Sequence, residues 1–103
     1  MQWPHTTDDL REVHHTLNIV FFGGVLPLSR AILEPLPTAF GQCNGPDIWI
    51  DPTRCNTEAL FIGTIAHEMV HQWQWVRDKR LDHGRSFIWK CRQIEKELSI
   101  RVR

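Results

Sequence analysis

The chain has 103 residues and a mass of 12.1 kDa, enough for one domain, 1–103, with a real hydrophobic core. Its 42% hydrophobic and 23% charged residues are ordinary globular usage, which excludes disorder, collagen and coiled coil as whole-chain descriptions, and no apolar run approaches the ~18–20 residues that span a bilayer. The net charge of zero hides an asymmetry: residues 1–76 hold three arginines against eight acids, a net of −5, whereas 77–103 hold nine bases against four acids, a net of +5.

The first helix is expected from about Thr7 to Phe21. Thr6 or Thr7 can cap it, Asp8, Asp9 and Glu12 favour its positive end, and Leu10, Val13, Leu17 and Val20 or Phe21 form one apolar stripe. Gly23-Gly24 ends it. The stretch from 27 to 57 is rich in proline, and three short strands are expected in it, Ser29–Leu33, Thr38–Gln42 and Asp47–Asp51, forming a small antiparallel sheet with exposed edges. A second helix should start at Asn56 or Thr57 and reach about Arg77, with Leu60, Phe61, Ile65, Met69 and Trp73 on one side. A loop from Asp78 to His83 follows. The third helix should run from Gly84 or Arg85 to Ile100 on a stripe of Phe87, Cys91, Ile94 and Leu98. The class is α+β. Cys43, Cys55 and Cys91 form no C-x-x-C pair, so they read as reduced thiols rather than a zinc ribbon. No basic-then-apolar leader opens the chain, so a soluble cytoplasmic monomer with no membrane contact is expected.

The second helix carries His67-Glu68-Met69-Val70-His71, an H-E-x-x-H motif. Four residues turn a helix by about 400°, so the two histidines stand one turn apart on one face and can share a zinc ion. Glu68 can take a proton from water at that metal. A third ligand is required. Gln74 and Arg77 stand where a metzincin needs glycine and histidine, which excludes that spacing. Glu95 or Glu97 could act as a distal glutamate, Asp78 or Asp82 as a distal aspartate, and His83 opens the next helix beside Gly84. His83 is preferred, because Gly84 allows a close backbone approach there.

These residues resemble the SprT/Spartan-like zinc metallopeptidases, in which H-E-x-x-H is followed after a variable loop by H-G-x-x-F. Here that second element is His83-Gly84-Arg85-Ser86-Phe87. Leu17-Asn18, Phe22, Gly24, Leu26-Pro27 and Gly41 match the family as well, and the resemblance spans about 8–98. It implies a zincin-like fold of N-terminal helix, small sheet, metal-binding helix and C-terminal helix. It further implies one zinc per chain on His67, His71 and His83, with Glu68 as catalytic acid/base. The reaction implied is hydrolysis of peptide bonds in a protein or peptide substrate, including protein associated with DNA. The resemblance is to the protease core without the family's zinc ribbon, so DNA-dependent regulation is not carried over.

Other candidates are less sharply marked. The chain has no tyrosine to stabilise an oxyanion, and His14 and His15 read better as core or surface residues than as substitutes. Asp47–Asp51 is a candidate edge strand for an extended substrate, with Trp49 and Ile50 as contacts. Trp73 is expected in the core, and Trp49, Trp75 and Trp89 off the apolar stripes. Arg85, Lys90, Arg92, Lys96, Arg101 and Arg103 should be exposed, and Arg92 and Lys96 are the candidates for weak phosphate contact with nucleic acid. The alternative function is a non-catalytic, zinc-stabilised interaction module, with Asp82 or a cysteine as fourth ligand.

Overall fold

Helix α1 (Thr7–Phe22) begins in a closed capping box: Asp9 N–H donates to Thr6 Oγ1 (3.1 Å) and Thr6 N–H donates to Asp9 Oδ2 (2.9 Å). It ends at Gly23, which takes the left-handed conformation (φ 65°). Asn18 then pins the exit. Its Nδ2 donates to the Leu26 carbonyl (2.9 Å) and its Oδ1 accepts from Leu26 N–H (3.1 Å), which seats Leu26 in the core. The computed structural model describes residues 3–78 and 81–102. Lys79 and Arg80 of the expected 78–83 loop, and Arg103 of the expected basic face, lie outside the described residues.

Three strands follow, β1 (Arg30–Leu33), β2 (Gly41–Cys43) and β3 (Asp47–Ile50), in spatial order β1-β3-β2. The expectation of an antiparallel sheet is corrected. β2 and β3 form an antiparallel hairpin, but β1 pairs parallel with β3, Ala31 opposite Ile48 and Leu33 opposite Ile50. The proline-bearing segment 34–40 and β2 together supply the long return that a parallel pair requires. β3 is therefore the central strand, not an edge, and the edges are β1 and β2. The hairpin turn needs a glycine twice over. Gly45 sits at φ 116°, and a Cβ there would lie 2.8 Å from the Trp75 ring.

Asp51 closes the sheet onto the next helix. Its buried carboxylate accepts from Leu36 N–H (2.9 Å), Thr53 N–H (2.9 Å), Thr53 Oγ1 (2.6 Å) and Arg54 N–H (3.3 Å), and pairs with Arg54 Nε (3.3 Å). Burial alone would raise this carboxyl, but the donors prevail and hold it down to about 2. A carboxyl held below its unfolded value stabilises the fold above about pH 4 and loses that contribution as pH falls toward 2. Asp51→Asn should cost about 1–3 kcal/mol at neutral pH. Melting curves of the two proteins should converge between pH 4 and 2. A stability gap that does not narrow with acid would show that the Asp51 charge contributes nothing.

Helix α2 (Glu58–Asp78) starts where Leu60 N–H donates to Thr57 Oγ1 (3.1 Å) and is the central element, with Phe61, Ile65, Ala66, Met69 and Val70 buried. Leu10, Val13, Leu17 and Phe22 of α1, Ile48 and Ile50 of β3, and Phe87, Cys91 and Ile94 of helix α3 (Arg85–Leu98) complete the core. The core arrangement departs from the expected stripes in a few places. Of the two alternatives at the end of the α1 stripe, Val20 is 64% exposed whereas Phe21 packs partly buried against the core beside the buried Phe22; Trp73 is only partly buried, and α3 stops at Leu98 because Ser99 takes a left-handed conformation. Lys90, expected on the surface, is buried. Its Nζ donates to the Phe21 carbonyl (2.7 Å), one of the last-turn carbonyls of α1 that have no helical partner. All three cysteines are free thiols, Cys55 and Cys91 buried. No helix among the described residues is long and apolar enough to cross a membrane.

Candidate metal centre

His67 and His71 project one turn apart from α2, their ring centroids 5.0 Å from one another. The chain then returns so that His83, just before α3, meets them from the other side. Ligand-capable atoms of His67, His71 and His83 all lie within 4.8 Å of one another, and His71 Nε2 faces His83 Nε2 at 3.2 Å. Among the described residues this is the one cluster of its kind, and no fourth histidine, cysteine or carboxylate joins it. Glu95 accepts from Val102 N–H (2.9 Å) at the far end of α3, Asp78 pairs with Arg77 (3.5 Å), and Glu97 is exposed.

Phe87 supplies the floor. Its ring centroid lies 4.9, 4.6 and 4.8 Å from those of His67, His71 and His83, nearly parallel to His71 and edge-on to the other two. Its place four residues after His83, one helical turn on, is what brings it under the histidine. Gly84 begins α3 without a side-chain cap, and a Cβ there would press on Asp82 Oδ1 at 3.2 Å.

The donor set suits a metal cation. Burial lowers the His67 pKa to about 3, helped by repulsion from His71 and His83, and burial likewise lowers His71. Both rings are therefore neutral at pH 7, with lone pairs available. His67 Nδ1 is buried with no hydrogen-bond partner among the described residues. His71 Nε2 and His83 Nε2, 3.2 Å apart, and a ring nitrogen of His67 are placed to share one cation, and three nitrogen ligands suit zinc.

Glu68 is 5% exposed, with Oε2 3.8 Å from His67 Nε2. Burial pushes its carboxyl up to about 8, and a cation on the imidazoles would pull it back down. It is covered by β2: a Cβ on Gly41 would sit 2.8 Å from Thr64 Cγ2 and 3.1 Å from Glu68 Oε2. Only glycine lets the strand lie this close to the helix.

The weaker candidates are scattered. Ile50 is fully buried and Trp49 half-buried on the central strand, with the Arg30 guanidinium 5.8 Å above the Trp49 ring, so neither is on an edge. Trp75 lies against Gly45 and Trp89 is 61% exposed. His14 is buried, bonded to Gln72 Oε1 (2.7 Å), and His15 is exposed. Arg92 and Lys96 are exposed on α3 and take no part in the histidine cluster. Gln74, which the sequence marked only as the residue that breaks the metzincin spacing, is buried and bonded to His71 Nδ1 at 2.9 Å. An i+3 position on the helix was the available signal.

No curated protein and no solved structure matches the chain significantly. The sequence profile of the SprT-like family matches residues 10–103, nearly the whole chain and all of the three-histidine cluster, and the protein belongs to the SprT-like family.

Proposed function

We propose that this protein is a zinc-dependent endopeptidase, with His67, His71 and His83 as ligands and Glu68 as general base. The observation that carries the reading is three imidazoles converging within 4.8 Å, beside a buried carboxyl 3.8 Å from one of them, in a chain of the SprT-like family. A three-histidine set leaves a coordination position open, as catalytic sites require, whereas structural zinc sites are closed by four protein ligands. This favours catalysis over the interaction-module alternative.

Bound zinc supplies a Lewis acid that acidifies water and polarises a carbonyl. Glu68 accepts the proton of the attacking water on its carboxylate and delivers it to the nitrogen of the departing amine. Burial under β2 makes the Glu68 carboxylate more basic, which favours its taking the proton. β2 pairs with β3 on one side only, and its Gly41 end lies over Glu68, so the outer edge of β2, rather than Asp47–Asp51, is where an extended peptide would add as a strand. The absence of tyrosine leaves imidazole, guanidinium or backbone N–H to stabilise the oxyanion.

Metal removal tests the reading. Chelator-stripped protein should cleave no unfolded protein substrate, and one equivalent of zinc should restore cleavage. Zinc bound at one equivalent with no cleavage of any folded, unfolded or DNA-bound protein would favour the interaction module.

A further inference from the structure

Gln74 is 2% exposed and sits at the junction between the helix that carries two histidines and the loop that carries the third. A buried primary amide must place four hydrogen-bonding positions, and here its neighbours dictate which end goes where. Gln74 Nε2 lies 3.0 Å from Asp82 Oδ1, a carboxylate oxygen that can only accept. Asp82 N–H, which can only donate, points at Gln74 Oε1 at 3.3 Å. The amide orientation is therefore fixed by two contacts from the loop. The Oε1 so placed is also 2.9 Å from His71 Nδ1, and an amide oxygen at that distance requires Nδ1 to carry the proton. The lone pair of His71 is then on Nε2, the atom that faces His83. On the far side, Asp82 Oδ1 also accepts from Gly84 N–H (3.0 Å), so the aspartate holds the chain on both sides of His83.

We infer that Gln74 and Asp82 form a positioning relay, in which Gln74 fixes the metal-binding tautomer of His71 and Asp82 docks the His83 loop onto the same amide. The inference rests on the zinc reading for its consequence but not for its geometry. Metal-ligating histidines generally pass their second nitrogen to an acceptor, and loss of such a partner typically weakens metal binding 10–100-fold. This relay does more than orient one ring. It ties the helix-borne ligands to the loop-borne ligand before any metal arrives, so the two residues act as a unit.

Three measurements test it. In 15N-resolved spectra of the metal-free protein, His71 should be the Nδ1–H tautomer, and Gln74→Leu should mix the two tautomers. A His71 with its proton on Nε2 overturns the inference. In chelator competition, Gln74→Leu and Asp82→Ala should each weaken zinc binding about 10–100-fold, and the double variant should cost little more than either single one. Fully additive losses, or single variants that bind zinc as tightly as the wild type, overturn it. Gln74→Glu keeps the acceptor toward His71 but sets two carboxylates against each other. It should retain the Nδ1–H tautomer while losing zinc affinity, which a merely space-filling role for Gln74 would not produce. The metal-free melting temperature of each variant separates loss of fold from loss of positioning. A wild type that binds no zinc but shows the Nδ1–H tautomer would remove the zinc reading and the relay's effect on metal, and leave its geometry standing.

Discussion

Glu68→Gln should lower the rate of peptide-bond cleavage by roughly 10²–10⁴-fold while leaving zinc content and fold unchanged. The substitution is close to isosteric, and the space is tightly defined: Gly41 of β2 lies so close over the side chain that a Cβ there would sit 3.1 Å from Glu68 Oε2 and 3.2 Å from its Cγ. A glutamine therefore occupies the same place as the glutamate. Nor does removing the charge cost stability in the metal-free chain, because burial already favours the neutral carboxyl. What the amide cannot do is accept the proton of the attacking water and return it to the leaving amine. Cleavage should be measured at saturating zinc, with bound zinc and melting temperature determined on the same samples. Wild-type turnover in this variant would remove Glu68 as the base. A loss of zinc along with activity would mean that Glu68 holds the metal rather than the proton.

The parts of this molecule that could be read in the sequence are those set by local spacing. Leu10, Val13 and Leu17 repeat at helical intervals and are buried, as are Phe87, Cys91 and Ile94 on α3. Thr6 and Gly23 mark both ends of α1 within a residue or two. The one-turn interval of His67 and His71 follows from helix geometry alone, and the His-Gly before α3 pointed to the loop that completes the cluster. Relations between segments distant in sequence were not available in the same way. The pattern Asp47-Ile48-Trp49-Ile50 announces a strand, but whether it lies at an edge depends on where β1 returns, and β1 adds in parallel on its far side. Lys90 looks like a surface charge within α3. Its burial follows from a carbonyl 69 positions away, at the open end of α1. Gln74 has the same character, since its role depends on Asp82 folding back across the top of α2.

His83→Ala should reduce zinc affinity by more than the ~100-fold that loss of an outer partner can produce, because a ligand itself is removed. Cleavage should be lost with it. The fold should survive, since His83 is exposed and its removal opens no cavity in the core, and Phe87 keeps its near-parallel contact with His71. His67 and His71 would remain as a helical pair, able to hold a metal weakly but without the third nitrogen that the loop supplies. Competition against a chelator of known affinity, followed by metal analysis of the dialysed protein, gives both the binding constant and the occupancy. Unchanged affinity would place the third ligand elsewhere. Glu95 is engaged by Val102 N–H and Asp78 by Arg77, so Asp82, whose Oδ1 accepts from Gln74 Nε2, would be the next carboxylate to examine. The comparison of His83→Ala with Asp82→Ala therefore separates the two roles. A ligand leaves a defect larger than its positioning neighbour does, and an order of effects in which Asp82 exceeds His83 would exchange their assignments.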